Sequence, residues 1–201
     1  NQQVAVYEDS FLRGTRPAIN FYDNSSAVNV TATDNPTNNC VDVLIAYTQP
    51  APIYLVAYDT TSQTAASANR GYAMTFDTVV ESNDISFSTH SAVRFTSNGV
   101  YNIQFSAQFA NYHNQDHDVD VWFALNGARI DWSNSRFSII GTHGGINGHY
   151  IAAWNYMGTF AANDEVEIYW QTDNTLVQIE RLPASGDAPD TPSIILTIDK
   201  L

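Results

Sequence analysis

The 201 residues carry 21 Asp and Glu against 8 Lys and Arg, for a formal net charge of −13 and a sequence pI near 4.4. So acidic a surface repels nucleic-acid phosphates and anionic membranes, and no apolar run approaches the ~20 residues of a spanning helix, so neither nucleic acid nor membrane insertion is expected. Cys40 is the only cysteine, which excludes a disulfide-stapled framework; its expected role is that of a small buried hydrophobe.

Residues 1–50 are polar, with scattered apolar positions. Short strands are predicted at 18–22 (AINFY), 27–31 (AVNVT) and 41–47 (VDVLIAY), with turns over 23–26 and 34–39. Too few apolar residues are present for an independent core. This segment reads as a small β-rich stem that leans on the main domain or on other copies of itself. Pro50 and Pro52 stiffen the connector, so the expected organisation is a stem over 1–50 and a head over 51–201.

From Ile53 the strand signals come at regular spacing: 53–58, 71–76, 84–88, 92–97, 100–111, 118–126, 128–132, 135–140, 148–162, 165–173, 175–181 and 193–199. Residues 64–70 could hold at most one turn of helix. Many short strands separated by turn signals such as Asn126-Gly127 predict an all-β fold, an antiparallel sandwich of the jelly-roll kind. The clearest alternation lies in 100–111. Tyr101, Ile103, Phe105, Ala107 and Phe109 share one face, and Asn102, Gln104, Ser106 and Gln108 share the other. The second face has no charge although the chain is acidic, which points to an interface between copies, against the simpler reading of a face that meets water. In 148–162 neither face is simply polar, so a third layer from another subunit is expected. Tyr150, Trp154 and Asn155 join the interface candidates.

Candidate chemistry sits in two stretches and in the tryptophans. In YHNQDHDVD, Asp116, His117 and Asp118 could ligate calcium or another divalent cation, against the simpler reading of a solvated acidic loop. Residues 141–149 (GTHGGINGH) form a glycine-rich loop, which reads either as an exposed receptor loop or as a flexible hairpin turn. Trp122 lies opposite the apolar face of its strand and Trp132 follows a hairpin in polar sequence, so both can serve as platforms for sugar rings. Trp170 alternates in phase with Val166 and Ile168 and is expected in the core. The receptor or glycan candidates are Tyr112, His113, Trp122, Trp132, His143, Asn147 and His149. No nucleophile elbow and no phosphate-binding loop is present, and no enzyme is expected.

Four stretches carry a family resemblance. Asn98-Gly99-Val100-Tyr101 running into IQFSAQF, VWFALNG followed by Ala128-Arg129-Ile130, the turn GTFAANDEV, and the closing PSIILTI resemble, in order, strands of the trimeric complement-type and tumour-necrosis-factor-like jelly rolls. The likeness covers roughly residues 52–201. Within that family the chain resembles the heads of bacteriophage fibre and spike proteins, and AINFYDNSSAVNVTATDNPTNNCVDVLIAY is similar to the stems that precede them. The resemblance implies a homotrimer that registers the fibre and contacts a host-surface glycan or protein, with other virion proteins on its N-terminal side. It also implies a virion protein made in the host cytoplasm, consistent with an unpaired Cys40 and with the lack of a signal-peptide pattern at the start. A secreted or surface complement-like binding module is the alternative, and a polysaccharide-cleaving spike a further one. The full gene start separates the first two; oligosaccharide release from host polysaccharide identifies the third.

Overall fold

A computed structural model describes residues 4–8, 11–16, 28–37 and 40–201. The predicted strand at 18–22 and the turn at 23–26 lie outside the described residues, as does the side chain of Cys40. The chain divides into two compact units, Asn1–Ala51 and Pro52–Leu201.

The described residues of the first unit form two antiparallel strand pairs. β1 (Val4–Glu8) pairs with β2 (Phe11–Arg16), and β3 (Val28–Asn35) pairs with β4 (Cys40–Tyr47) in an unbroken register from Val28↔Tyr47 to Asn35↔Cys40. Leu44, Ile45 and Tyr47 on β4 are exposed.

The second unit contains β5 (Tyr54–Asp59), β6 (Gln63–Thr64), β7 (Tyr72–Ala73), β8 (Thr78–Asn83), β9 (Ile85–Phe87), β10 (Val93–Phe95), β11 (Gly99–Asn111), β12 (His117–Leu125), β13 (Ala128–Arg129), β14 (Ser135–Ile139), β15 (Gly148–Phe160), β16 (Glu165–Thr172), β17 (Val177–Ile179) and β18 (Ile194–Lys200). All pairings are antiparallel. One sheet is centred on β11, which pairs along its whole length with β15. On its other side β11 pairs with β18 and then β17; β5 and β8 follow β18, and β6 follows β17. The second sheet is centred on β12 and β16, with β13 and β14 beside β12, and β10 and β7 beside β16. The chain crosses between sheets from β11 to β12, from β14 to β15, from β15 to β16 and from β16 back to β17 and β18. The first strand of the unit, β5, lies beside the last. This is the double-sheet order of a jelly roll, and the all-β antiparallel sandwich read from the sequence is the fold.

The core is built by alternation. Tyr101, Ile103, Phe105, Ala107 and Phe109 face Val119, Val121, Phe123, Ile168 and Trp170, all nearly or fully buried. Aromatic edges join the layers: Phe105 meets Phe123 at 6.0 Å and Phe109 meets Trp170 at 5.7 Å between ring centroids. Each such side chain contributes roughly 1.5–3 kcal/mol by leaving water.

Several predicted strands are shorter than read. The 128–132 strand stops at Arg129, because Ser133 turns the chain back: its Oγ accepts a bond from Phe123 N (3.0 Å) and donates to Ile130 O (2.7 Å). The 71–76 strand shrinks to Tyr72–Ala73. β8 had no alternating signal, since Val79 and Val80 are consecutive and both exposed. Residues 66–69 form a bend and turn rather than helix.

Candidate functional site

The structure separates the sequence candidates into three places. The first is the outer face of the β12–β16 sheet. Register sets Arg136, Asp120 and Gln171 side by side on β14, β12 and β16, and Trp122 beside Tyr169 in a neighbouring row. Asp120 is buried and accepts four bonds: from Asn134 Nδ2 (2.9 Å), Arg136 Nε (3.0 Å), Arg136 Nη2 (2.8 Å) and Gln171 Nε2 (3.0 Å). The Arg136 hydrogen bonds, with help from both amides, outweigh burial and hold its carboxyl down at about 2. Trp122 stacks on Tyr169 with centroids 5.7 Å apart, and its indole edge closes over Gly71, where a Cβ would come within 2.9 Å. Trp122 and the Asp120 cluster, with Arg129, Ile130, Asp131 and Trp132 from the β13 turn, line an open groove of about 330 Å³. Two of the sequence candidates, Trp122 and Trp132, therefore share one site.

The second place is the loop end of the sandwich, where four other candidates gather. Tyr112 donates a hydrogen bond to buried Glu180. Burial first, and then Glu180, push its hydroxyl up to about 12, so it stays protonated. His149 Nδ1 stands 3.5 Å from the other Glu180 oxygen. Asn147 approaches Tyr112, while His113 turns to His117 (2.8 Å), which in turn contacts Asp173 (2.8 Å). A carboxylate only accepts, so His117 Nδ1 carries a proton and Nε2 shares one with His113 Nδ1. His143 lies apart, on the exposed tip of a tight turn in which His143 and Ile146 exchange both backbone bonds at 3.0 Å. Gly144 and Gly145 supply the positive φ that this turn requires.

Asp116, His117 and Asp118 do not converge on a cation position. Asp116 accepts from Gly141 N (2.8 Å), His117 is held between His113 and Asp173, and Asp118 accepts from Ser138. Among the described residues no three His, Cys, Asp or Glu side chains come together as a metal set.

The third place is the outer face of the β11 sheet. Two adjacent cross-strand rows run Asn155–Gln104–Thr197–Val56 and Ala153–Ser106–Ile195–Tyr58. Ile151 beside Gln108 and Met157 beside Asn102 flank them and are 60% and 55% exposed. Polar contact is sparse: Asn155 Nδ2 reaches Asn102 Oδ1 at 3.3 Å, and Asn102 Nδ2 reaches Asp199 at 3.2 Å. Tyr150 and Trp154 sit on the opposite face of β15. Tyr150 stacks on Phe137 at 4.4 Å and Trp154 meets Phe105 edge-on at 4.6 Å, so both close the margin of the sandwich.

Sequence reasoning missed Asn134, Arg136, Gln171 and Glu180. Each acquires its partner only through strand register. Arg136, one of few cations in an acidic chain, was the available signal.

The chain matches no protein-family model and no curated protein at a significant level.

Proposed function

We propose that this chain is the non-enzymatic head and stem of a trimeric bacteriophage fibre or spike protein, which contacts a glycan on the host surface and registers the trimer. The observation that supports assembly is the uncharged centre of the outer face of the β11 sheet. In a chain that is 14% charged, two adjacent rows carry no charge from β15 through β11 and β18 to β5, with Glu81 on β8 and Asp199 beside Asn102 only at their border, and Ile151, Met157 and Ile195 stand exposed beside or within them. Interface cores are depleted of charge because desolvating an unpaired ion is costly. The stem hairpin adds exposed Leu44, Ile45 and Tyr47, which a two-stranded ribbon cannot bury by itself. The jelly-roll strand order agrees with the resemblance read from the sequence, from which the number of copies and the virion setting are inferred. Host contact falls to loops and grooves away from the assembly face. Light scattering during size-exclusion chromatography tests the reading. A mass near three times 22.2 kDa is expected; a clean monomer at micromolar concentration overturns it.

A further inference from the structure

We infer that the groove between Trp122 and the Ile130–Ser133 turn is a binding site for an uncharged saccharide, with Trp132 as its projecting platform. This deepens the reading of the chain as a surface-recognition head and rests on it for the source of the ligand.

Trp132 is the first reason. It is fully exposed and makes no ring contact with any described residue. Its φ is +66° at the third position of a turn closed by Ser133 N donating to Ile130 O at 3.4 Å. That position favours glycine or asparagine, and a bulky side chain there is strained. An indole that violates the turn's own preference, and buries nothing in return, is the kind of local inconsistency that marks a functional position. The turn carrying it is held in place, because Ser133 Oγ ties it to Phe123 on β12 and to Ile130 at the start of the turn. A ligand stacking on Trp132 therefore meets a platform already in place.

The remaining walls select the ligand chemistry. A pyranose offers an apolar C–H face for an indole and a rim of hydroxyls that both donate and accept. Asn134 and Gln171 each donate an amide N–H to Asp120, and no other described residue bonds their oxygens. Fixed by the buried carboxylate, these amides and the exposed remainder of Arg136 form a preset row of acceptors and donors beside the rings. Charge excludes an anionic ligand. Arg136 is paired with Asp120 at 2.8 Å and Arg129 lies 3.7 Å from Asp131, so no lining guanidinium lacks a carboxylate. The volume, about 330 Å³, falls at the small end of ligand pockets.

The test uses the full chain on an immobilised panel of neutral oligosaccharides built from hexoses, deoxyhexoses and N-acetylhexosamines, beside their sialylated and sulfated counterparts. The wild type should be retained by at least one neutral member. Trp132→Gly should weaken that binding at least tenfold, with an unchanged or higher melting temperature and an unchanged mass in solution. No retention on the panel, preference for the acidic members, or equal binding by Trp132→Gly would overturn the inference. A fall in mass for Trp132→Gly would also overturn it, by assigning the indole to a contact between copies. A monomeric wild type that still binds through Trp132 would instead sink the trimer reading and leave the saccharide site standing.

Discussion

On the outer face of the β11 sheet, the rows through Gln104 and Ser106 hold no charged side chain between β15 and β5, and few hydrogen bonds. On the outer face of the β12–β16 sheet, the row Arg136–Asp120–Gln171 centres on a buried carboxylate with four donors around it. The same sandwich thus presents one surface that sheds water at little cost and one that is organised in advance. The first suits a broad, flat partner such as another copy. The second suits a small polar ligand, because a protein covering it would have to satisfy the groups that Asp120 leaves facing outward. The difference lies in which residues occupy the odd or even positions of each strand, since both sheets share the same backbone geometry and one core.

The largest expected effect is on the part common to both faces. Phe123 is fully buried, meets Phe105 edge-on and stacks on Tyr156 at 4.7 Å. Phe123→Ala should cost about 3–5 kcal/mol, lowering the denaturant midpoint and impairing assembly and groove together. Retention of either one at full strength would show that the two faces do not depend on a shared core.

A substitution on the flat face should separate the two. Ile151 is 60% exposed, so Ile151→Glu should leave chain stability within about 0.5 kcal/mol. A carboxylate placed in an uncharged interface should nevertheless reduce the solution mass to that of the 22.2 kDa monomer. Saccharide binding per chain should persist. An unmoved mass would remove this face from the assembly.

On the organised face, Asp120→Asn keeps the shape and removes the charge. It should destabilise the fold by about 1–3 kcal/mol, the range for losing charge-assisted bonds at a buried site. The pH dependence has a definite sign. The Asp120 carboxyl titrates at about 2 in the fold, against an ordinary 3.8, so its contribution is present above pH 4 and is lost as pH falls toward 2. With Arg136 largely exposed to solvent, about 1–2 kcal/mol of pH-dependent stability is expected from it. Thermal melts between pH 5 and 2 should therefore show a steeper loss for the wild type than for Asp120→Asn. Parallel curves would mean that the network adds no stability.

How much of this was legible in the sequence follows from the range of each signal. Alternation and turn chemistry are local, and they were read: the two faces of β11, and the Asn126-Gly127 hairpin with φ of +50° and +79°. The uncharged face was visible for the same reason. The Asp120 cluster was not, because Arg136 and Gln171 lie 16 and 51 residues away and meet it only through register. His113 and His117 stand four apart, a helical spacing that has no force outside a helix, yet the fold brings them to 2.8 Å. Trp132 was read as a platform candidate without its turn, since RIDWS continues the strand pattern until Ser133 interrupts it. The edge strand β8 left no pattern because neither of its valines is buried.

The smallest expected effect tests the division of labour most directly. If Trp132 occupies its turn for binding alone, glycine should fit the φ of +66° better than tryptophan does. The left-handed conformation costs a non-glycine residue about 1–2 kcal/mol, partly offset by the greater freedom of glycine in the unfolded chain. Trp132→Gly should therefore stabilise the protein by a net of about 0.5–1 kcal/mol. Trp132→Ala removes the same indole but keeps the strained backbone, and should gain nothing. The pair separates ring from backbone: stabilisation by glycine alone means that the turn tolerates tryptophan against its own preference. Destabilisation by both variants would mean that the indole is packed in the assembled protein. The organised face would then belong to the interface between copies, and the contrast between the two faces would collapse.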